Sequence, residues 1–349
     1  MKVSVVRYLV CPICSSSLKL LNSLINQVEI YSDVFICKKG HRFPITVGIP
    51  RLLVEGSSRN SKVQNSFNEK WSRIPNYGYD DKTREFQLRW YLQRYGWNNQ
   101  KELSDFLATC GVILDAGTGT GRDTKLYAEN TKGQVIGIDI SQSVDSAHLH
   151  LSPLKNAHLI QADLTQLPFH KGFFDFIVSD QVLHHTPNTE ASFKYLVEYL
   201  APGGQIAIYV YKKKGPIREF CDDYIRSYTT RFTAEECYEF SEAITKLGKS
   251  LSDQKTEINI PESIPLLGIT AGKQDLQRFI YWNVFKCFWN DDFDFETNVM
   301  INFDWYHPGY AFRHTPDEVK QWFKDVNLEL LNFDVGESGI SARGRKSDV

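Results

Sequence analysis

Two groups of residues have types and spacings suited to chemistry. The first is Cys11-Pro-Ile-Cys14, followed after a strand-like interval by Cys37-Lys-Lys-Gly-His41, four soft or borderline ligands in two pairs. Such pairs on two turns can close a tetrahedral zinc site of three thiolates and an imidazole. Four filled positions leave no place for a substrate, so the metal would be structural and would stabilise a fragment with little core of its own. The competing account is a reduced cysteine pair in an ordinary hairpin with a surface histidine. The second group runs from Val112 to Tyr127: a short apolar run, then Gly117, Gly119 and Gly121 at alternate positions, then residues that suit a helix. This reads as strand, tight loop, helix. Glycines let the main chain approach a ligand closely, and the free N–H groups of the following helix face the same spot, so a nucleotide-like ligand fits.

The acidic residues that follow narrow the ligand class. Gln134–Asp139 is a second strand ending in a carboxylate, about 20 residues beyond the loop, where it can take both hydroxyls of a ribose. That alone would also suit a nicotinamide enzyme. A third strand leads to Asp163-Leu164, then come Leu167-Pro-Phe169, a fourth strand, Phe174–Asp180, with Gln181 and His184-His185 after it, and a Leu-Ala-Pro-Gly-Gly turn before a fifth strand. This ordered series resembles the class I S-adenosylmethionine-dependent methyltransferases, in particular the branch of ubiquinone and menaquinone biosynthesis, over about residues 100–212.

The resemblance implies an α/β fold with a Rossmann-like seven-stranded sheet, and it implies roles for individual residues. Gly117, Gly119 and Gly121 would line the methionine part of the cofactor, with Asp115 below them holding the loop or the amino group. Asp139 would bind the ribose, and Asp163 and Leu164 would flank adenine. Asp180 and Gln181 would sit beside the reacting methyl, with Thr118 and Ile140 as further cofactor contacts. The N-terminal stretches Arg7–Cys14 and His41–Pro50 are similar to small zinc-ribbon domains, found alone as methyltransferase activators or fused to methyltransferases.

The elements that must position these groups follow from pattern. A chain of 349 residues, 42% hydrophobic and 23% charged, can bury a large core without staples. Its net charge of −2 gives no global argument for nucleic acid or an anionic membrane. Without a long apolar segment or a signal-like start, and with an odd count of seven cysteines, the expectation is a soluble cytoplasmic protein. The expected parts are a zinc ribbon at 1–56, a helical linker and lid at 57–100, the cofactor core at 101–211, a substrate-binding cap at 212–312, and a helix and strand hairpin at 313–349 that completes the sheet. The ribbon carries seven Lys or Arg against three acids, Glu29, Asp33 and Glu55, which suits either an anionic partner or a solvated surface. Gly56–Lys62 reads as a linker. Beyond it Phe67, Trp71, Phe86, Trp90, Tyr91 and Tyr95 recur at helical spacing, predicting two amphipathic helices separated near Pro75–Gly78, with most of these rings packed inside. The insertion after the fifth strand is helical around Phe220–Leu251 and strongly aromatic over Gln274–Trp289. Its place at the carboxyl edge of a parallel sheet puts it over the ligand site.

Methyl transfer from a sulfonium is an in-line displacement, for which a protein supplies alignment, a dry pocket and, for a hydroxyl or protonated amine, a general base. His184 and His185 follow the fourth strand and are candidate bases, with structural hydrogen bonding as their competing role. The acceptor is expected along Asn302–His314, with His307 and His314 as alternative bases and Tyr211, Tyr306 and Arg313 as orienting partners. The leading expectation is a methyltransferase acting on O or N of a small molecule, a sugar or secondary metabolite. One alternative is a ribosomal RNA guanine methyltransferase that reads RNA through its ribbon, against which stand the mildly acidic insertion and the lack of a long basic stripe. The other is a non-catalytic cofactor-binding partner protein.

Overall fold

The computed structural model describes residues 2–22, 30–54 and 61–348. Glu29, Glu55 and most of the expected linker therefore lie outside the described residues. A 3-10 turn at Val3–Tyr8 precedes β1 (Leu18–Leu20), β2 (Asp33–Cys37), β3 (Arg42–Thr46) and β4 (Ile49–Pro50), an antiparallel sheet in that order. Alternate residues of β2 are buried, as expected of a strand with one covered face.

Two lid helices follow, α1 (Ser61–Arg73) and α2 (Asp81–Tyr95), then α3 (Gln100–Thr109). Asp80 starts α2 by accepting the Thr83 N–H, and Gly96 ends it in the left-handed conformation. The central sheet is built from β5 (Val112–Ala116), β6 (Gln134–Asp139), β7 (Ala157–Gln161), β8 (Phe174–Asp180) and β9 (Leu200–Lys212). Between them run α4 (Arg122–Asn130), α5 (Ser143–Leu151) and α6 (Thr189–Val197). The cap holds α7 (Pro216–Thr229), α8 (Ala234–Asp253), a hairpin of β10 (Glu257–Ile260) and β11 (Gly272–Asp275), α9 (Leu276–Asn283) and α10 (Phe295–Tyr306). The chain returns through β12 (Arg313–His314), α11 (Pro316–Asp325), β13 (Glu329–Val335) and β14 (Gly339–Arg345).

The seven long strands lie in the order β13-β14-β9-β8-β5-β6-β7, with β5 to β9 parallel and β14 antiparallel to both its neighbours. Strand order reverses between β5 and β8, and the crevice beyond their carboxyl ends is where such sheets bind ligands. One element was not anticipated: β12 pairs parallel with β9 at Tyr211 and Lys212, just past the point where β8 stops at Asp180. This eighth, two-residue strand ties the end of the cap to the carboxyl edge of the sheet.

The N-terminal sheet, the expected ribbon, is not an independent globule. Arg51 bridges to Gln161 of β7, the Leu52 N–H donates to the Gln161 carbonyl at 2.8 Å, and the Arg51 guanidinium meets Asp145 at 2.5 Å. Phe35, Phe43 and Leu52 of the ribbon share one apolar cluster with Leu164, Leu167 and Phe169 of the core. The ribbon thus covers the exposed edge of β7, which would otherwise present unpaired backbone groups. Among the described residues no helix is long and apolar enough to cross a membrane.

Candidate active site

The glycine loop between β5 and α4 has the backbone only glycine tolerates. Gly117 and Gly119 have φ of 105° and 53°; a Cβ on the first would stand 2.2 Å from Val182, and one on the second 2.9 Å from the Trp71 ring. The lid helix α1 therefore rests directly on the loop. Lid and loop are also tied by polar contacts, the Tyr79 hydroxyl donating to the Thr120 carbonyl at 3.0 Å and the Thr120 hydroxyl to the Tyr77 carbonyl at 3.1 Å.

The carboxylates around the loop are held in defined orientations. Asp139 Oδ1 accepts the Ser141 N–H at 2.8 Å and hydroxyl at 2.6 Å, while Oδ2 accepts, among the described residues, the Gly119 N–H at 3.0 Å and keeps a lone pair. Burial raises its pKa, with the three donors opposing the shift. Asp163 Oδ1 accepts the Thr165 N–H and hydroxyl at 2.8 and 2.7 Å. Asp115 does not line the cavity: it accepts the Thr124 hydroxyl, which is itself bonded to Thr118, so it braces the loop from beneath, and burial pushes it up to about 7.

A cavity of about 670 Å³ runs without interruption from this loop into the cap, within the range of small-molecule sites. Gly117, Thr118, Gly119, Asp139, Ile140, Asp163 and Leu164 line its floor. Asp180, Gln181, His185 and Tyr211 line the wall toward the cap. Gly121 lies behind the loop, where a Cβ would meet Ala147 and Leu151.

Several expected residues stand elsewhere. His184 is fully buried and stacks on Tyr211 with centroids 3.6 Å apart. The Tyr306 hydroxyl donates to the Lys286 carbonyl at 2.7 Å inside the cap. Arg313 is occupied by Glu219 at 2.8 Å and by Asp223, and His314 lies edge-on to Trp322. His307 has its Nε2 2.7 Å from Lys62 Nζ, in a separate depression. For Tyr306 and His307 the reason is helical phase. Ile301, Asp304 and Trp305 face the cavity from α10. At about 100° per residue, positions 302, 306 and 307 point away from that face.

The structure adds groups that the sequence did not single out. Arg94 of α2 grips both oxygens of Asp180 at 2.9 and 2.8 Å, stacks on Trp90 at 3.7 Å, and is 2% exposed. Asp304 Oδ2 accepts from Lys70 Nζ at 2.9 Å, and its Oδ1 lies 3.5 Å from His185 Nε2. Burial would raise the Asp304 carboxyl, but Lys70 and its neighbours hold it below the ordinary range. His185 must donate through Nδ1 to the Tyr310 carbonyl at 2.7 Å, which leaves Nε2 as an acceptor when the ring is neutral, and burial lowers its pKa to about 4. Nε2 and Asp304 Oδ1 are then two buried acceptors facing each other without a donor among the described residues. Phe67, Trp71, Phe86 and Trp90 line the cavity, whereas Tyr91 and Tyr95 pack into the core, so the lid gives the site more rings than expected.

At the N-terminus the ligand atoms of Cys11, Cys14, Cys37 and His41 lie within 4.8 Å of one another. Cys14 and Cys37 Sγ are 3.7 Å apart, and His41 Nδ1 is 3.4 Å from Cys11 Sγ and 3.3 Å from Cys37 Sγ. Tetrahedral Zn–S and Zn–N bonds of about 2.3 and 2.0 Å place such atoms about 3.8 and 3.5 Å apart. The cluster is compatible with a zinc site.

With this geometry in place, the comparisons with known proteins fall into one class. Residues 114–208 match the family described as a methyltransferase domain. The demethylmenaquinone methyltransferase of Lactococcus lactis is 34% identical over 99 residues, 27% of this chain and 39% of that protein. Phosphoethanolamine N-methyltransferase 3 of Arabidopsis thaliana is 29% identical over 188 residues, 46% of this chain and 38% of that one. Among solved structures, magnesium protoporphyrin IX methyltransferase from Synechocystis with bound S-adenosylmethionine covers 84% of this chain and all of its own at 12% identity and a TM-score of 0.44. The strand order, the glycine loop and the matched segment define a class I methyltransferase fold. Residues 114–208 carry a methyltransferase domain of the class I S-adenosylmethionine-dependent type. It spans less than half the length of the curated relatives it matches.

Proposed function

We propose that this protein transfers a methyl group from S-adenosylmethionine to an oxygen or nitrogen of a small-molecule acceptor enclosed under the cap. The observation that supports this most is the single cavity shared by the glycine loop and the cap interior, which allows donor and acceptor to meet away from water. The residues fit the cofactor: the loop admits close approach by main chain, Asp139 keeps a lone pair for a ribose hydroxyl, and Asp163 is oriented at the adenine end. S-adenosylmethionine, when bound, supplies the electrophilic methyl. The Arg94–Asp180 pair fixes the lid to the mouth of β8. The His185–Asp304 pair offers two acceptors for the proton of an O–H or N–H nucleophile; a proton taken up by Nε2 is stabilised by the carboxylate beside it. Tyr211 and His184 back this pair as packing groups. The Cys11, Cys14, Cys37 and His41 cluster is proposed to hold one structural zinc and to play no part in the transfer.

The test is incubation of the protein with methyl-labelled cofactor and, separately, small-molecule and RNA extracts. Label in the small-molecule fraction, lost in His185→Gln and Asp304→Asn, is the expected result. Label confined to RNA would replace this proposal with an RNA methyltransferase, and binding of cofactor without turnover on either extract would leave a non-catalytic partner.

A further inference from the structure

Resting on that reading, we infer that the acceptor is an anion, and that its carboxylate or phosphate group is bound by Lys286 and Arg278 at the cap end of the cavity. Lys286 interrupts the apolar run Val284–Trp289. It lines the cavity at 5% exposure, and its ammonium has no hydrogen-bond or ion-pair partner among the described residues. It faces the ring of Trp305, 5.0 Å away. Both carboxylates nearest in the electrostatic environment are already engaged. Asp222 takes Arg218 Nε at 2.5 Å and the Lys286 backbone N–H at 3.2 Å, and Asp304 takes Lys70. Three cations, Lys70, Arg218 and Lys286, thus face two carboxylates, an excess of one positive charge among these buried groups.

A buried charge without a counterion is costly, and a bound anion removes that cost. Burial, with Arg218 and Lys70 adding to it and Asp304 and Asp222 opposing, pushes the Lys286 ammonium down to about 7, which is the strain such a ligand would relieve. Two further cations at the same end have no carboxylate partner among the described residues. Arg278 lines the cavity 5.9 Å from the Tyr281 ring, and Lys214 spends its hydrogen bonds on the carbonyls of Glu337 and Ser338. A guanidinium and an ammonium lining one cavity suit the oxygens of a carboxylate or phosphate. The rings of Tyr281, Trp282 and Trp305 offer an apolar body a surface beside that charge. Glu337, the carboxylate that the hairpin turn brings to the cavity wall, stands near Lys212.

The inference can be tested by titrating the full protein, saturated with S-adenosylhomocysteine, with phenyl phosphate, benzoate and neutral benzyl alcohol at pH 6.5, read by quenching of tryptophan fluorescence. At least one anion should bind tenfold or more tightly than the alcohol. Lys286→Met, and independently the half-buried Arg278→Gln, should each weaken anion binding at least tenfold and leave the affinities for the alcohol and for S-adenosylhomocysteine unchanged. Whichever anion binds better identifies the headgroup chemistry. Equal affinity for alcohol and anions, or anion affinity unaltered in both variants, would overturn the inference. Failure of the wild-type protein to bind S-adenosylhomocysteine would instead count against methyl transfer itself, so the two failures are distinct.

Discussion

Replacing Asp139 by Asn tests the cofactor site with a change of one atom. In the native protein this carboxylate accepts three donors, from the Gly119 N–H on one oxygen and the Ser141 N–H and hydroxyl on the other. An amide has one acceptor oxygen, so its NH2 must face either Gly119 or Ser141, donor against donor. Each buried donor left unpaired costs about 1–3 kcal/mol. If the amide oxygen stays with Ser141, where two donors converge, the NH2 turns to the loop and displaces Gly119. The charge-assisted bond to a ribose hydroxyl, worth about 1.5–3 kcal/mol, is then lost as well. At about 1.4 kcal/mol per decade, affinity for S-adenosylhomocysteine should fall by about 10- to 150-fold. Titration calorimetry measures the affinity, and urea unfolding checks that the fold survives with a loss of no more than about 3 kcal/mol. A folded variant that binds S-adenosylhomocysteine within about twofold of the wild type would refute the assigned contact.

Three other outcomes follow from the same structure. Arg94→Met should destabilise the protein by about 3–5 kcal/mol in urea unfolding because it strands Asp180 in the interior, while the double variant Arg94→Met, Asp180→Leu should recover most of the loss; a double variant no better than the single one would contradict the buried pairing. Lys286 has a folded-state pKa lowered to about 7 against an unfolded value near 10.4, so the native state binds fewer protons between those values and stability should rise with pH across that window. The difference in unfolding free energy between wild type and Lys286→Met, measured without ligand from pH 6 to pH 10, should show that rise, and a flat difference would contradict the uncompensated burial. Chelation should release about one zinc per chain, measured with a metal-sensitive dye, and should lower the unfolding temperature of the whole chain because the ribbon and the sheet share a core; a metal-free sample with an unaltered melting curve would contradict the ribbon assignment.

The order of strands, the glycine loop and the acidic residues at strand ends could be read from the sequence because each is a local pattern: a period, a turn chemistry, a spacing. The cysteine pairs were legible for the same reason. Arg94 was not, since its partner Asp180 is distant in the chain and nothing near Arg94 marks it as buried rather than solvated. The acceptor end is a different case. The stretch Asn302–His314 is rich in polar and aromatic groups, but composition does not carry phase, and α10 turns Asp304 and Trp305 into the cavity while Tyr306 and His307 face away. His314 and Arg313 were lost to β12, a two-residue strand too short to leave a period. Lys286 did leave a signal, a lone charge within an apolar run, which marks either a surface position or a buried ion site.

The most direct test is a crystal structure of the protein with S-adenosylhomocysteine. The account predicts the ligand lying along Gly117–Thr120, its ribose hydroxyls on Asp139, its adenine beside Asp163 and Leu164, and its sulfur directed into the cavity toward His185 and Asp304. An empty crevice, or a ligand whose sulfur points away from the cap, would contradict it.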